Sequence, residues 1–219
     1  MEFSRPYRSP TREEAARSTA TRILDAAEEL FVEQGYGATT MAGIARAAQV
    51  SKQTVYNAFG TKADLLKRLY DVRIVGDDRP IPLADRSEVR QLEQDADPIR
   101  FLDGFGALAG QMLARLGPLL SAVIEGAAGG EADLQSLLDT ADRERLIGAR
   151  GWVGHLAELG ALRPGLSVER AAEILWAINS VTTWHLLVRT RGWSTEQYGA
   201  WLGRAAADLL VDRGPAAGS

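Results

Sequence analysis

The 219-residue sequence contains no cysteine. Disulfides, thiolate nucleophiles and cysteine-ligated metals are thereby excluded. Histidine occurs twice, at His155 and His185. With no HExxH pair, no metal site is expected, and both rings are expected to be packed or interface residues. There is no GxSxG nucleophile elbow and no phosphate-cradling P-loop. The segment DGFGALAG at 103–110 comes near a dinucleotide loop, but its third glycine is one residue late and no strand precedes it. No cofactor is expected. Alternating apolar and polar runs are missing, which argues against a sheet. Residues 1–20 hold no apolar run able to act as a secretory core. The longest apolar helical stretch, 168–188, carries Glu169, Arg170, Glu173, Asn179 and His185. It fails as a membrane span, so no membrane partner is expected and the default expectation is a cytoplasmic protein.

What is present is a helix-forming, alanine- and leucine-rich chain, 46% hydrophobic, enough for a sizeable core. Net charge is −4, which alone argues against a nucleic-acid binder. The charge is uneven, however. Residues 1–70 carry ten Lys and Arg against eight Asp and Glu, whereas residues 71–219 carry fifteen against twenty-one. Arg5, Arg8, Arg12, Arg17 and Arg22 precede or open the first helix. They read either as a solubilising tail or as an arm following DNA phosphates.

Residues 39–66, TTMAGIARAAQVSKQTVYNAFGTKADLL, carry the most information. The pattern predicts one short helix over 40–48, with Ile44, Ala45 and Ala48 on one face. A second is predicted over 51–59, with Val55 and Phe59 inward and Ser51 as N-cap. The second helix shows Lys52, Gln53, Thr54, Tyr56 and Asn57 between its inward positions. Such a donor- and acceptor-bearing face suits the DNA major groove. A longer helix is predicted before it, over 13–33, with Ile23, Leu24, Ala27, Leu30 and Phe31 as its stripe and Gly35 or Gly37 at its end. A fourth starts at Thr61 with Asp64 as its capping partner and runs toward Val75. Residues 77–82, with charges and two prolines, form the linker candidate. The expected domains are therefore 13–78 and 83–212.

Past the linker, helices are predicted over 86–94, 98–116, 118–128, 133–159, 168–190 and 195–211, with Pro98 and Pro118 in first turns. The tail 214–219 reads as disordered. The fold class is all-α. The helix 168–190 is apolar nearly all round. The last helix offers Tyr198, Leu202, Ala205 and Leu209 on one stripe and Gly199, Gly203 and Ala206 on the next. These two helices are expected to pair with their copies across a two-fold axis, giving a homodimer. A monomeric bundle burying the same surfaces internally is the competing expectation.

The 39–66 segment resembles the helix-turn-helix of the TetR family of bacterial transcriptional regulators. The matching positions are Thr39–Thr40, Ile44–Ala45, Ala48, Val50–Ser51, Thr54, Tyr56, Phe59, Lys62 and Leu65, after a helix ending in Gly-Tyr-Gly. The resemblance implies a homodimeric, sequence-specific regulator, a repressor released from a palindromic double-stranded operator by a small apolar or amphipathic ligand. It implies that Lys52, Gln53 and Thr54 face base edges or nearby phosphates and that Tyr56 bonds a phosphate. Asn57 would reach a base or phosphate, and Thr40 and Lys62 would meet phosphates. Ser51 belongs to the same expected DNA-binding set. Two positions depart from the family pattern. Gln49 stands where glycine is usual, which costs on the order of 1 kcal/mol if its φ is positive. Gly60 replaces a polar residue and removes one phosphate contact.

In the second domain, Arg145 sits on the apolar stripe of the helix 133–159. It reads either as a paired structural arginine or as a pocket residue meeting a ligand. Phe101, Phe105 and Met112, with Trp152, Trp176 and Trp184, are the aromatic and methionine candidates for the same pocket. The alternative functions are an enzyme or small-molecule carrier built on this bundle, and a ligand-independent DNA binder. No catalytic residue is expected.

Overall fold

A computed structural model describes the backbone of residues 10–77, 79 and 81–212, and side chains from Glu14 onward. Arg5, Arg8, the Arg12 side chain and the tail 214–219 lie outside the described residues. The fold is all-α: α1 (Pro10–Ala38), α2 (Met41–Ala47), α3 (Lys52–Phe59), α4 (Lys62–Val75), a 3₁₀ turn (Leu83–Asp85) and α5 (Ser87–Leu92). These are followed by α6 (Pro98–Ala128), α7 (Ala132–Glu158), α8 (Val168–Ile178), α9 (Val181–Trp184) with a π-helical continuation (His185–Thr190), and α10 (Thr195–Leu210). Among the described residues the single β-type contact is the isolated bridge between Leu162 and Val211.

The N-terminal head forms as its caps dictate. Ile23, Leu24, Ala27 and Phe31 are buried along α1. The helix breaks at Gly35, whose φ of +82° is open to glycine, and one further turn follows to Ala38. The Thr61 side chain accepts from the Asp64 N–H while Asp64 accepts from the Thr61 N–H, a reciprocal cap that starts α4. Those hydrogen bonds, led by that from the Thr61 hydroxyl, hold the Asp64 carboxyl below its ordinary pKa. Gly76 closes α4 in the left-handed conformation.

The body departs from the sequence expectation in three places. First, α6 does not stop at Pro118. Leu116, Gly117, Leu119, Leu120 and Val123 are all buried through and beyond the proline. That burial outweighs the roughly 3 kcal/mol an internal proline costs. Among the described residues α6, 31 residues long with an 18-residue window of mean hydropathy 1.4, is the one helix long and apolar enough to cross a membrane, rather than 168–188. Its apolar stripe packs against α10, α7, α1 and α4. Second, the helix expected over 168–190 is broken at Asn179 (φ −90°, ψ 61°) and restarted by a Ser180 cap. Third, the glycine stripe of α10 is used within the chain. An added Cβ at Gly106 of α6 would lie 2.3 Å from the Gly199 carbonyl oxygen and 2.7 Å from the Gly203 nitrogen. Tyr198, Leu202 and Ala206 are buried with them. The expectation that Gly199 and Gly203 meet a second copy is therefore corrected: they let α10 and α6 approach backbone to backbone.

Two apolar cores result. One joins the head to the lower halves of α6 and α7, through Phe31, Leu65 and Leu69 with Leu119, Val123 and Leu134. The other holds the upper body together, through Phe101, Val153, Leu156, Leu175, Tyr198 and Leu202.

Gly106→Ala puts a methyl into backbone that cannot rotate away. It is expected to destabilise the protein by about 1–3 kcal/mol. Gly151→Ala, with nothing within 4 Å of the added carbon, should instead stabilise α7 by about 0.5–1 kcal/mol. Thermal unfolding of the two variants should move Tm in opposite directions.

Candidate nucleic-acid interface and ligand cavity

The α2–turn–α3 unit is built on three small interactions. Thr40 Oγ1 accepts the Gly43 N–H at 3.0 Å and starts α2. Ser51 Oγ accepts the Thr54 N–H at 3.0 Å and starts α3. Between them Gln49 takes φ +55°, the strained turn expected where glycine is usual. Ile44 and Val55 are fully buried and lock the two helices to the head.

With Val55 inward, α3 turns Lys52, Gln53, Tyr56 and Asn57 to solvent. Tyr56 is 42% exposed, unusual for a large side chain here. The Lys52 ammonium lies 5.5 Å from its ring centre. Gln53 Nε2 donates to Asn57 Oδ1 at 2.7 Å, so the two amides stand together one helical turn apart. Neither α2 nor α3 contains an acidic residue. The face is a flat set of amides, one phenol and one cation, the chemistry that reads base edges and grips phosphates.

Not every expected contact residue is equally placed. The hydroxyls of Ser51 and Thr54 bond each other at 2.7 Å, and Thr54 is half-buried, so both first of all hold the cap. Lys62 is tied inward. Its Nζ donates to the Tyr36 and Thr39 carbonyls at 2.8 and 3.1 Å and sits 3.9 Å from the Tyr36 ring centre. Lys62, expected to neutralise a phosphate, here braces the α1–α2 corner. Arg46, exposed in the last turn of α2, is a cation the sequence reading passed over. Its signal was its place between the buried Ala45 and Ala48.

Behind the head lies a cavity of about 130 Å³. Tyr70 and Ile74 of α4 form one wall. Phe105, Met112, Leu113 and Leu116 of α6, Glu144, Arg145 and Trp152 of α7, and Leu175, Trp176 and Asn179 at the end of α8 complete it. Five of the seven expected pocket residues meet here: Phe105, Met112, Arg145, Trp152 and Trp176. Phe101 is set back, its ring tilted against Trp152 at 5.8 Å and against His155 at 4.6 Å. Trp184 is plain core, its ring pressed onto Gly117. A larger groove of about 430 Å³ runs between α6 and α10, lined by Asp103, Gln111, Glu196 and Arg204 among others. It has no aromatic wall and does not touch α4.

Arg145 is both paired and cavity-lining. It donates to the Asn179 carbonyl at 3.0 Å and to Asp142 at 3.1 Å, and lies over the Trp176 ring at 5.2 Å. Burial pulls its pKa down, partly opposed by Asp142. Burial pushes the Tyr70 phenol up, with the Glu144 carboxylate adding to the shift. Glu144 also pairs with Lys67 of α4 at 3.4 Å. A second tie joins head to body, where the Tyr36 hydroxyl donates to Asp133 at the start of α7 at 2.7 Å. Arg115 of α6 donates to the Arg73 carbonyl near the end of α4 at 3.2 Å. Among the described residues no group of His, Asp or Glu could hold a metal ion.

A helix-turn-helix head thus sits on an all-helical body. Residues 23–69 match the family described as bacterial regulatory proteins, tetR family. The chain is 47% identical over 53 residues to the uncharacterized HTH-type transcriptional regulator YvkB of Bacillus subtilis, covering 24% of this chain and 28% of that protein. It is 30% identical over 118 residues to the HTH-type transcriptional regulator AlkX of Mycobacterium tuberculosis, covering 54% and 52% respectively. The match thus spans from about a quarter to half the length of these curated relatives. Among solved structures, NalD of Pseudomonas aeruginosa, the secondary repressor of an efflux pump, superposes with TM-score 0.69 at 23% identity, covering 91% of this chain and 100% of that one. SmeT, the repressor of a Stenotrophomonas maltophilia efflux pump, does so with TM-score 0.64 at 20% identity, covering 91% and 93%. Residues 23–69 thus match the tetR family, and the whole chain shares the fold of these solved structures.

Lys62→Met removes a cation that satisfies two carbonyls. It should cost about 1–3 kcal/mol of folding stability before any DNA is added, whereas Lys52→Met should stay within about 0.5 kcal/mol of the parent. Gln49→Gly should raise stability by up to about 1 kcal/mol by removing the positive-φ penalty. Denaturant midpoints of the three variants check all of this.

Proposed function

We propose that the protein is a homodimeric, sequence-specific transcriptional regulator, a repressor held on a palindromic DNA operator and released by a small molecule in the α4–α7 cavity. The observation that carries the reading is that α4 serves both sites. Its first turn follows the recognition helix α3, and its Tyr70 and Ile74 line the cavity. A molecule that shifts this wall shifts the angle at which α3 is presented. Ligand and DNA affinities must then be linked by one coupling free energy, acting equally in both directions. The Tyr36–Asp133 bond gives the body a second hold on the head, at the corner that opens α2.

In this reading Lys52, Gln53 and Asn57 meet base edges. Tyr56 and the Thr40 hydroxyl meet phosphate, with Arg46 added to the phosphate set. Ser51, Thr54 and Lys62 keep the reading surface in shape. The functional units are 13–78 and 83–212, in a cytoplasmic protein. The dimer face is supported by apolar side chains left on the last helices after the chain has packed, Leu186 at 55% and Leu209 at 42% exposure. Two recognition helices related by symmetry would read half-sites about one helical turn apart, roughly 10 bp.

Duplexes selected from a random pool test the reading. Gln53→Ala should weaken the selected duplex by about 1–3 kcal/mol and relax preference at one position per half-site. Lys52→Ala should weaken all duplexes and flatten the salt dependence by about one unit per lost phosphate contact. A purified protein that retains no duplex even at low salt would refute the proposal.

A further inference from the structure

The amide pair on α3 names a base, on the proposed reading that this helix meets base edges. We infer that Gln53, held by Asn57, selects adenine over guanine at one position of each operator half-site.

The two side chains lie one turn apart on the exposed face of α3, and Gln53 Nε2 donates to Asn57 Oδ1 at 2.7 Å. Among the described residues no other hydrogen bond engages either amide. The neighbouring polar groups are occupied elsewhere. The Thr54 hydroxyl bonds that of Ser51, and the Lys52 ammonium lies over the Tyr56 ring. No acidic residue of α2 or α3 competes for the amide hydrogens. Holding the Gln53 amide in place also lowers the side-chain entropy lost when a duplex binds.

The direction of that bond decides what is left for a base. A glutamine amide carries two N–H donors and one carbonyl oxygen. Asn57 takes one Gln53 donor, so one N–H and Oε1 remain side by side. In the major groove adenine sets an acceptor, N7, beside a donor, the N6 amino group. That is the complement of the remaining pair, and two hydrogen bonds form at once. Were Asn57 Nδ2 the donor and Gln53 Oε1 the acceptor, both Gln53 hydrogens would be free instead.

The other bases fit less well. Guanine sets two acceptors, N7 and O6, side by side. An unattached glutamine could fork both amide hydrogens onto them. Here one hydrogen is held by Asn57, so Oε1 would be turned against a guanine acceptor. Thymine offers one acceptor and cytosine one donor, so each makes a single bond. Asn57 is thus a positioning residue for Gln53: it removes the donor that would make guanine an equal partner.

The test takes the full-length protein through selection from a random duplex pool, beside Gln53→Ala. The position whose preference relaxes in the variant is the one Gln53 reads. In titrations of the enriched duplex, adenine there should bind about tenfold more tightly than guanine, the order of one hydrogen bond. Replacing that adenine by 7-deazaadenine, which keeps its pairing with thymine but lacks the N7 acceptor, should lose about fivefold to tenfold. Asn57→Ala frees the second hydrogen, and the adenine-to-guanine ratio should fall to about threefold or less. A mere loss of helix stability would weaken both duplexes and leave that ratio unmoved. Any base other than adenine at the position, no position relaxed by Gln53→Ala, no loss with 7-deazaadenine, or an unchanged ratio in Asn57→Ala would each overturn the inference. A duplex enriched with another base there sinks this inference alone. A protein that enriches no duplex sinks the regulator reading, and this inference with it.

Discussion

The close approach of α6 and α10 is the constraint on which the rest of the body rests. Gly106 lies against Gly199 and Gly203 with no side chain between the two backbones. Helices that touch this closely fix each other's height and rotation, because no flexible side chain can absorb a shift. The rotation of α6 then decides which of its residues face α7 and α8. Phe105, Met112, Leu113 and Leu116 fall on the cavity side as a result. The lower half of the same helix, from Leu116 to Val123, completes the core under α1 and α4. One rigid rod thus sets the cavity wall and the seat of the head.

The head was largely legible in the sequence, because its signals are local. Caps at Thr40, Ser51 and Thr61 and inward positions at Ile44 and Val55 each declare themselves within a few residues. Even the strained turn at Gln49 could be anticipated from one missing glycine. The body was less legible, because its decisive facts are long-range. Nothing near Pro118 announces that α6 runs through it; the reason is a continuous buried stripe met by distant helices. The glycines of α10 signalled close packing, but not that the partner would be α6 of the same chain. Nor does anything near Lys62 announce that Tyr36 and Thr39, more than twenty residues away, hold its ammonium.

The cavity itself follows from an interruption. Were residues 168–190 one straight helix, Asn179 would bond its backbone within the helix. The break instead hands its carbonyl to Arg145 and leaves its amide oxygen unpaired. Departures from regular helix, here a break followed by a π-helical stretch, gather at sites that bind or move. The sequence pattern, apolar on every side, did not convey that this segment bends.

The shared core under the head has a consequence for how the chain can be divided. Leu119, Val123 and Leu134 belong to the same apolar cluster as Phe31 and Leu69. A polypeptide cut after α4 would leave α1 and α4 with a bare oily underside that water now never reaches. The N-terminal head is thus not a detachable module that the body merely carries; its foundation is laid some fifty residues downstream, and a ribosome must deliver α6 before that head has a floor.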